Sequence, residues 1–270
     1  MKQLFTIVFF IIPLIPTQAG DFPFQSGEEL SLDIHYKYGL VMLKAGTANF
    51  KVVESSNNSV RSYQFTLDFK TNSFFDKIFK MRDTLSSQMT ENFQPLYHKR
   101  LIHEGNYHFS EEMFFKRVGT KNYGVRVKRV SHEILRFDTI LTSDRICYDV
   151  LNLIPVICSL DFSQSESMKE ETLIAFIGRD KIIVTVRNEG QSIVEKNETL
   201  KYKTYKIALD FSDSNFNESK NAIEIWVSDD KNRIPIKIRA KLRIGAAEVY
   251  LSSRKNLKYP LSSEIKIPVK

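Results

Sequence analysis

The sequence predicts a mainly β protein: an antiparallel meander forming a barrel-like or strongly curved sheet, with one main helix and a short helical segment. Two observations carry that expectation. From Ile223 to Leu251 apolar residues return at every second position, the mark of half-buried strands. Ile223, Ile225 and Val227 share one face, and Ser228 to Asn232 make a polar turn. Ile234, Ile236, Ile238, Ala240, Leu242 and Ile244 share the next face. Gly245 then breaks the run, and Ala247, Val249 and Leu251 resume it. Composition agrees, since 20 Phe and 11 Tyr favour strands, and 10 Gly with 8 Pro in 270 residues are too few for a low-complexity chain.

The upstream elements follow from the same pattern. Leu30 to Tyr38 alternates as a strand, residues 39–46 form a turn region, and Thr47–Val53 and Val60–Phe69 are strands joined by the polar turn Ser55–Ser59. Ser73 offers an N-cap to Phe74–Phe79, where Phe75, Ile78 and Phe79 stand at helical spacing. Phe74, Phe75, Ile78 and Phe79 have two readings: a plug packed over one end of the sheet, which is preferred, or a lid over a ligand cavity. Strands are expected at Thr84–Thr90, Leu96–Glu104, His108–Arg117 and Tyr123–Val130, with Gly105-Asn106 as a turn. Ser143-Asp144 caps the main helix, which runs through Leu153 and ends around Pro155. Strands at Glu171–Ile177, Lys181–Arg187, Ser192–Glu195 and Tyr202–Phe211 lead into the meander. One β-rich domain over residues 20–270 is the preferred organisation; the alternative is two abutting β halves with a junction near 160–170, at Ser163–Met168.

Met1-Lys2, the apolar run Leu4–Ile15 and a small residue at Ala19 predict a signal peptide over residues 1–19. The run is shorter than the roughly 20 residues of a membrane-spanning helix. No later segment is apolar enough to span as a helix, and no cysteine near Ala19 accepts a lipid. The expectation is a soluble protein exported to the periplasm or cell envelope, without a lipid anchor. A net charge of +7 suits anionic surfaces, and in that compartment an anionic glycan, a lipid head group or an envelope protein is a better partner than nucleic acid. Cys147 and Cys158 are either bridged or separately buried, with even weight on each.

The search for chemistry yields no catalytic, metal or cofactor site. His103-Glu-Gly-Asn-Tyr-His108 spaces its histidines five apart, across an expected strand–turn–strand. Asp33 and His35 share a strand face but have no nearby nucleophile. Glu111-Glu112 and Glu170-Glu171 put neighbouring carboxylates on opposite faces, and Asp229-Asp230 sits in a turn. The cationic row Lys237, Arg239, Lys241 and Arg243 on the polar face of the meander is the remaining candidate. At about 6.6 Å between alternate residues it could track a polyanion, although a solvated strand face is the preferred reading.

Gly27-Glu-Glu-Leu30, Lys44-Ala-Gly-Thr-Ala48, Glu104-Gly-Asn-Tyr107 and Tyr148-Asp-Val-Leu151 form a set with Ile225-Trp-Val-Ser-Asp229, Ile234-Pro-Ile236 and Leu242-Arg-Ile-Gly245. Together they resemble the bacterial exported family known as domain of unknown function 3108, over most of the mature chain. The continuation after Asp149 departs from the family's usual serine and arginine-rich pattern. The resemblance implies a β-barrel-like envelope protein, similar in fold to the outer-membrane capsule-assembly proteins called YmcC-like, and it implies no activity. The leading expectation is therefore a non-catalytic binding or assembly factor for lipid, glycan or envelope protein. The alternatives are a periplasmic hydrolase with dispersed catalytic residues and a purely structural interaction module.

Overall fold

A computed structural model describes residues 22–57, 60–119, 122–162, 170–213 and 218–268. The predicted signal peptide and the Ser163–Met168 junction lie outside them. Strands β1 (Glu29–Tyr38), β2 (Val41–Asn57), β3 (Val60–Thr71) and β4 (Arg82–Thr90) are followed by β5 (Pro95–Glu104), β6 (Tyr107–Val118), β7 (Asn122–Ser131) and β8 (Ile134–Ser143). The short β9 (Cys147–Tyr148) precedes helix α1 (Leu153–Ser159). Then come β10 (Glu170–Ile177), β11 (Asp180–Asn197), β12 (Leu200–Asp213), β13 (Glu218–Ser228), β14 (Pro235–Lys241), β15 (Ala246–Lys255) and β16 (Glu264–Lys266).

They form a 16-stranded sheet in the order β8-β7-β6-β5-β4-β3-β2-β1-β15-β14-β13-β12-β11-β10-β9, with β16 beside β12. The parallel pair is β9 with β10. Every other junction is antiparallel, and the chain reaches from β1 to β15 to join its two ends into one surface. The sheet curls until its two halves meet through side chains: Met113, Val125 and Val127 of β6 and β7 pack on Cys147, Ile174 and Phe176 of β9 and β10. The main core fills the interior, with Phe50, Phe65, Met89, Ile207, Val227, Ile236 and Leu251 drawn from strands around the sheet.

One end of this barrel is closed from within. Helix α1 lies there, held by Arg233 in the β13–β14 turn, whose guanidinium donates to the Leu160 carbonyl at 2.5 Å. Phe22 stacks on Tyr63 with ring centres 4.2 Å apart, and Phe24 packs against Phe50 and Phe65. Buried Glu28 ties the segment before β1 to the segment after β15 at this end, because its Oε1 accepts the Gln25 amide at 3.2 Å and the Lys258 amide at 2.6 Å. Burial pushes its carboxyl up to about 7 against the lowering effect of those two amides.

The alternation in the C-terminal meander is confirmed as far as Ala240. Ile225 faces Ile238, which faces Val249, while Trp226 and Lys237 lie on the other face. Leu242 and Ile244 instead belong to the exposed β14–β15 turn, because Gly245 adopts a left-handed φ of 75° and starts the reversal early.

Two further expectations are corrected, and one left open is decided. The helix placed from Ser143 to Pro155 is instead strand, turn and then a helix that begins at Leu153. Ser143 ends β8, and the Asp149 carboxylate accepts the Leu151 and Asn152 amides ahead of α1. Pro155 falls in the first helical turn, where its missing N–H costs nothing, so it starts the helix rather than stopping it. Phe74–Phe79 is a single 3-10 turn at Phe75–Lys77, with Phe74, Ile78 and Phe79 exposed, so it is not a plug. Of the two alternatives for the cysteines, the structure has the second: Cys147 and Cys158 are free buried thiols, both pushed up to about 12 by burial.

Two outcomes follow from this packing. Ile236→Ala, which empties buried space, is expected to cost about 2–5 kcal/mol, while Arg239→Ala on the outer face costs under about 1 kcal/mol. Chemical denaturation of both variants checks the register, and equal losses would refute it. Glu28 supplies the second. Its carboxyl is raised from 4.5 to about 7, so its contribution to stability is fully present below 4.5 and is lost as pH rises through 7. Glu28→Gln keeps an acceptor at Oε1, so the wild type should weaken relative to it by on the order of 3 kcal/mol between those limits. A pH series of urea melts reads the difference.

Candidate functional site

The arrangement closest to catalytic chemistry lies inside the barrel. On the inner face of β4, Leu85, Ser87 and Met89 alternate inward, and the register sets Ser87 opposite His98 of β5. The chain leaving β9 then dips into the interior and brings Asp149 to both. Ser87 Oγ donates to Asp149 Oδ1 at 2.7 Å and lies 2.8 Å from His98 Nδ1, which is itself 3.2 Å from Asp149 Oδ1. Asp149 also accepts the Leu151 and Asn152 amides at 2.9 and 3.0 Å and the Asn152 side-chain amide at 2.6 Å.

These residue types belong to nucleophilic hydrolysis, but their wiring does not. A serine nucleophile needs a histidine that accepts its proton on one ring nitrogen while the acid holds the other. Here the same nitrogen, Nδ1, faces both partners, and the serine hydroxyl is spent on the aspartate. With Nδ1 protonated, the ring donates toward Ser87 Oγ and Asp149, and the set is satisfied as a static network. Asp149 is 0% exposed and His98 1%, so substrate has no approach. Burial alone would raise the Asp149 carboxyl. The His98 ring and the bonds from Ser87 and Asn152 outweigh it and hold the group below its usual range. The network therefore pins the segment leading to α1 against the β4–β5 wall.

A second inner cluster sits nearer the other end. Glu111 of β6 is fully buried and accepts Arg100 Nε at 2.8 Å and Arg129 Nε at 2.7 Å. Both guanidinium groups lie over the Phe109 ring, at 5.1 and 4.6 Å. Arg179, from the β10–β11 turn, covers Phe137 at 4.9 Å. This joins the two halves of the sheet by charge and ring contacts where hydrogen bonds between strands run out. Its neighbour Glu112 points outward to Tyr97 at 2.6 Å, as the alternation of adjacent glutamates requires.

Of the cationic row, Lys237, Arg239 and Lys241 lie on the outer wall of β14 while Arg243 falls beyond the strand, and two members face acids across the strands. Lys237 Nζ is 3.6 Å from Glu248, and Arg239 lies 3.8 Å from Glu248 and 3.7 Å from Glu224. Lys241 donates to the Lys220 carbonyl at 3.0 Å, and Arg243 is exposed in the β14–β15 turn. Asp33 pairs with Lys44 at 2.8 Å, while His35 meets the Tyr250 ring edge-on, so these two do not assemble a site. Among the described residues no group of three or more His, Cys, Asp or Glu could hold a metal ion. A polar surface depression is bounded by Glu170, Thr185, Asp210, Ser212, Ser219 and Lys220.

The end of the barrel opposite α1 is different in kind. The β1–β2 tip exposes Tyr38, Leu40, Val41, Met42 and Leu43, the β3–β4 turn exposes Phe74, Ile78 and Phe79, and the β14–β15 turn exposes Leu242 and Ile244. These tips touch. Asn72 bonds the Lys44 and Ala45 carbonyls, and Tyr36 Oη reaches the Ile244 carbonyl at 3.3 Å. Beneath them, Ile34, Phe69 and Leu85 pack on the main core. The buried network was not foreseen from sequence, because its members come from β4, β5 and the chain after β9 and carry no local spacing. Of the rim, the sequence pattern marks the β3–β4 residues by their helical spacing, while residues 39–46 carry only the signal of a turn.

The family described as protein of unknown function (DUF3108) matches residues 31–252. No curated protein matches the chain. A crystal structure described as a β-barrel-like protein of domain of unknown function DUF1849 from Brucella abortus is similar in fold. It shares 9% identity at a TM-score of 0.57, over 87% of this chain and 99% of that one.

Removing the anion from the pinned network tests its role. Asp149→Ala leaves His98 and the Asn152 side chain without their acceptor, and is expected to cost about 3–5 kcal/mol. The Asp149 carboxyl is lowered, so its contribution is present above the ordinary 3.8 and is lost as pH falls through the folded value. Asp149→Asn should therefore flatten the acid limb of the stability–pH curve, measured by denaturant midpoints. An unchanged acid limb would show that another carboxylate governs it.

Proposed function

Because the chain belongs to the DUF3108 family of proteins of unknown function, we propose its role from its surfaces: a non-catalytic binding or assembly factor of the cell envelope. The observation that carries the proposal is the contrast between its interior and its rim. The serine, histidine and aspartate that resemble a catalytic set are sealed, and the barrel is filled with side chains. Exposed apolar residues such as Phe114, Ile140 and Ile193 are scattered singly elsewhere, whereas ten gather on adjoining tips at one end, and such patches on a folded protein mark contact surfaces. The sequence of residues 1–19 supports export, which would place the protein in the periplasm or envelope.

The outer wall supports the soluble alternative to a membrane-spanning barrel. Spanning barrels present an apolar band outward. Here the wall carries Arg61–Glu54, Arg126–Asp138, and Lys206 between Glu189 and Glu224. Of the cationic row, Lys237 and Arg239 are engaged with carboxylates, so Lys241 and Arg243 at its rim end are the better candidates for an anionic partner.

Two measurements test this reading. A fluorophosphonate that labels activated serines should leave Ser87 of the folded protein unmodified, and stoichiometric labelling would restore the hydrolase alternative. Fractionation of the source cells should recover the protein in the envelope with its N-terminus near residue 20. Recovery from the cytosol with Met1 intact would overturn the exported role.

A further inference from the structure

We propose that the rim is a membrane-docking surface, and that the protein seats its hairpin tips on an anionic lipid bilayer. This rests on the envelope-binding reading above and names the partner for the same surface.

The argument begins with shape. Leu40, Val41 and Leu43 project from the β1–β2 tip, and Phe74, Ile78 and Phe79 from the β3–β4 turn. Ile78 is 70% exposed and Phe79 48%. These are convex protrusions, and folding toward the core has not covered them. The hairpins are successive neighbours in the sheet order β4-β3-β2-β1-β15-β14, so their tips emerge together from one end of the barrel. A protein partner would need a groove to receive each tip. A bilayer receives them all, because its acyl boundary accepts apolar protrusions of any outline, as it does the apolar face of an interfacial helix.

The charges complete the match. Lys77 and Lys80 flank the β3–β4 apolar residues, and Lys241 and Arg243 flank Leu242 and Ile244. All are exposed, and their aliphatic stems can run beside the apolar tips while the charged heads reach phosphate level. The acids among these tips are already engaged: Asp76 is held by Arg82 at 2.6 Å, and Asp33 by Lys44 at 2.8 Å. The three tips thus offer a bilayer apolar groups and cations, with Asp76 and Asp33 already paired. Anionic lipid head groups are the complementary surface.

The local build keeps the tips in place. Thr71 Oγ1 and Arg82 both bond the Asp76 carboxylate, and the Asn72 side chain accepts the Phe74 and Phe75 amides at 3.1 and 3.0 Å. The polar groups of this turn are spent on holding its backbone, so the Phe and Ile side chains face outward by construction.

Co-sedimentation of the mature chain with lipid vesicles tests the proposal. Vesicles of phosphatidylcholine mixed with phosphatidylglycerol should bind it at least about tenfold more tightly than phosphatidylcholine alone at low salt, and raised salt should erode the difference. A variant carrying both Leu40→Asp and Phe79→Asp should lose most of the binding. Lys77→Gln with Lys80→Gln should weaken it by about fivefold per cation removed. Arg126→Gln, on the outer wall, should bind as wild type, and melting curves establish that each variant is folded. The proposal is overturned if binding ignores lipid charge, if the rim variants bind as wild type, or if the wild type binds neither vesicle. In the last case, photo-crosslinking from position 40 in intact envelopes to a protein would identify a protein partner and leave the envelope-binding reading standing. Recovery from the cytosol would remove both.

Discussion

The buried anion at Asp149 is the constraint on which the rest of this barrel depends. A sheet this wide encloses a space that its own side chains do not fill, so a segment of chain must enter it, and that segment brings backbone amides that need partners. Asp149 supplies them. One oxygen accepts the amides that open α1, and the same carboxylate meets Ser87 and His98 on the wall. The helix it positions then contributes Val156, Ile157 and Cys158 to the main core. The geometry that looks catalytic in residue type is what a buried charge requires to be tolerated at all: several hydrogen-bond donors aimed at it.

The same reasoning explains how the barrel is completed across its seam. Between β8 and β9 the strand pairing stops, and β9 is only two residues long. The gap is bridged by a small apolar cluster around Met113 and Phe176 and by the Glu111 clamp with its arginines and rings. Glu111 is another buried carboxylate on the inner face, and like Asp149 it is fully engaged. These two clusters join to the wall what strand pairing does not reach: the segment entering α1 and the β6–β10 seam.

Most of the sheet could be read from sequence, because period-two alternation is a local property. Val60–Thr71 and the C-terminal meander carry it plainly, and the structure returns their registers. The resemblance motifs also acquire a physical reason. A side chain at Gly46 would stand 2.2 Å from the Lys70 carbonyl, so the close approach of β2 to β3 excludes one. What failed was reading Ser143-Asp144 as a cap and Pro155 as a stop, since either residue type fits more than one position. The decisive cue, a buried partner for Asp149, sits 62 residues away on Ser87 and 51 residues away on His98. The same remoteness hid the rim, whose tips are unremarkable turns singly and a patch only when the sheet gathers them.

The two ends of the barrel then differ for a reason. At one, α1, Phe22, Phe24 and the Glu28 clamp gather apolar groups and the segments flanking β1 and β15 into the core. At the other, comparable apolar groups stand on tips whose backbones are fixed by Asn72, Asp76 and Arg82, yet nothing among the described residues folds over them. Simple lack of covering sequence would leave such tips polar, as the Asp229–Asn232 turn at the closed end is, with Asp230 bonding Ser228, Asn232 and Ser263. Turns that need only reverse the chain are built from such residues. Leucine, phenylalanine and isoleucine at turns held this firmly impose a solvation cost that folding does not recover. Contact with a second apolar phase recovers it.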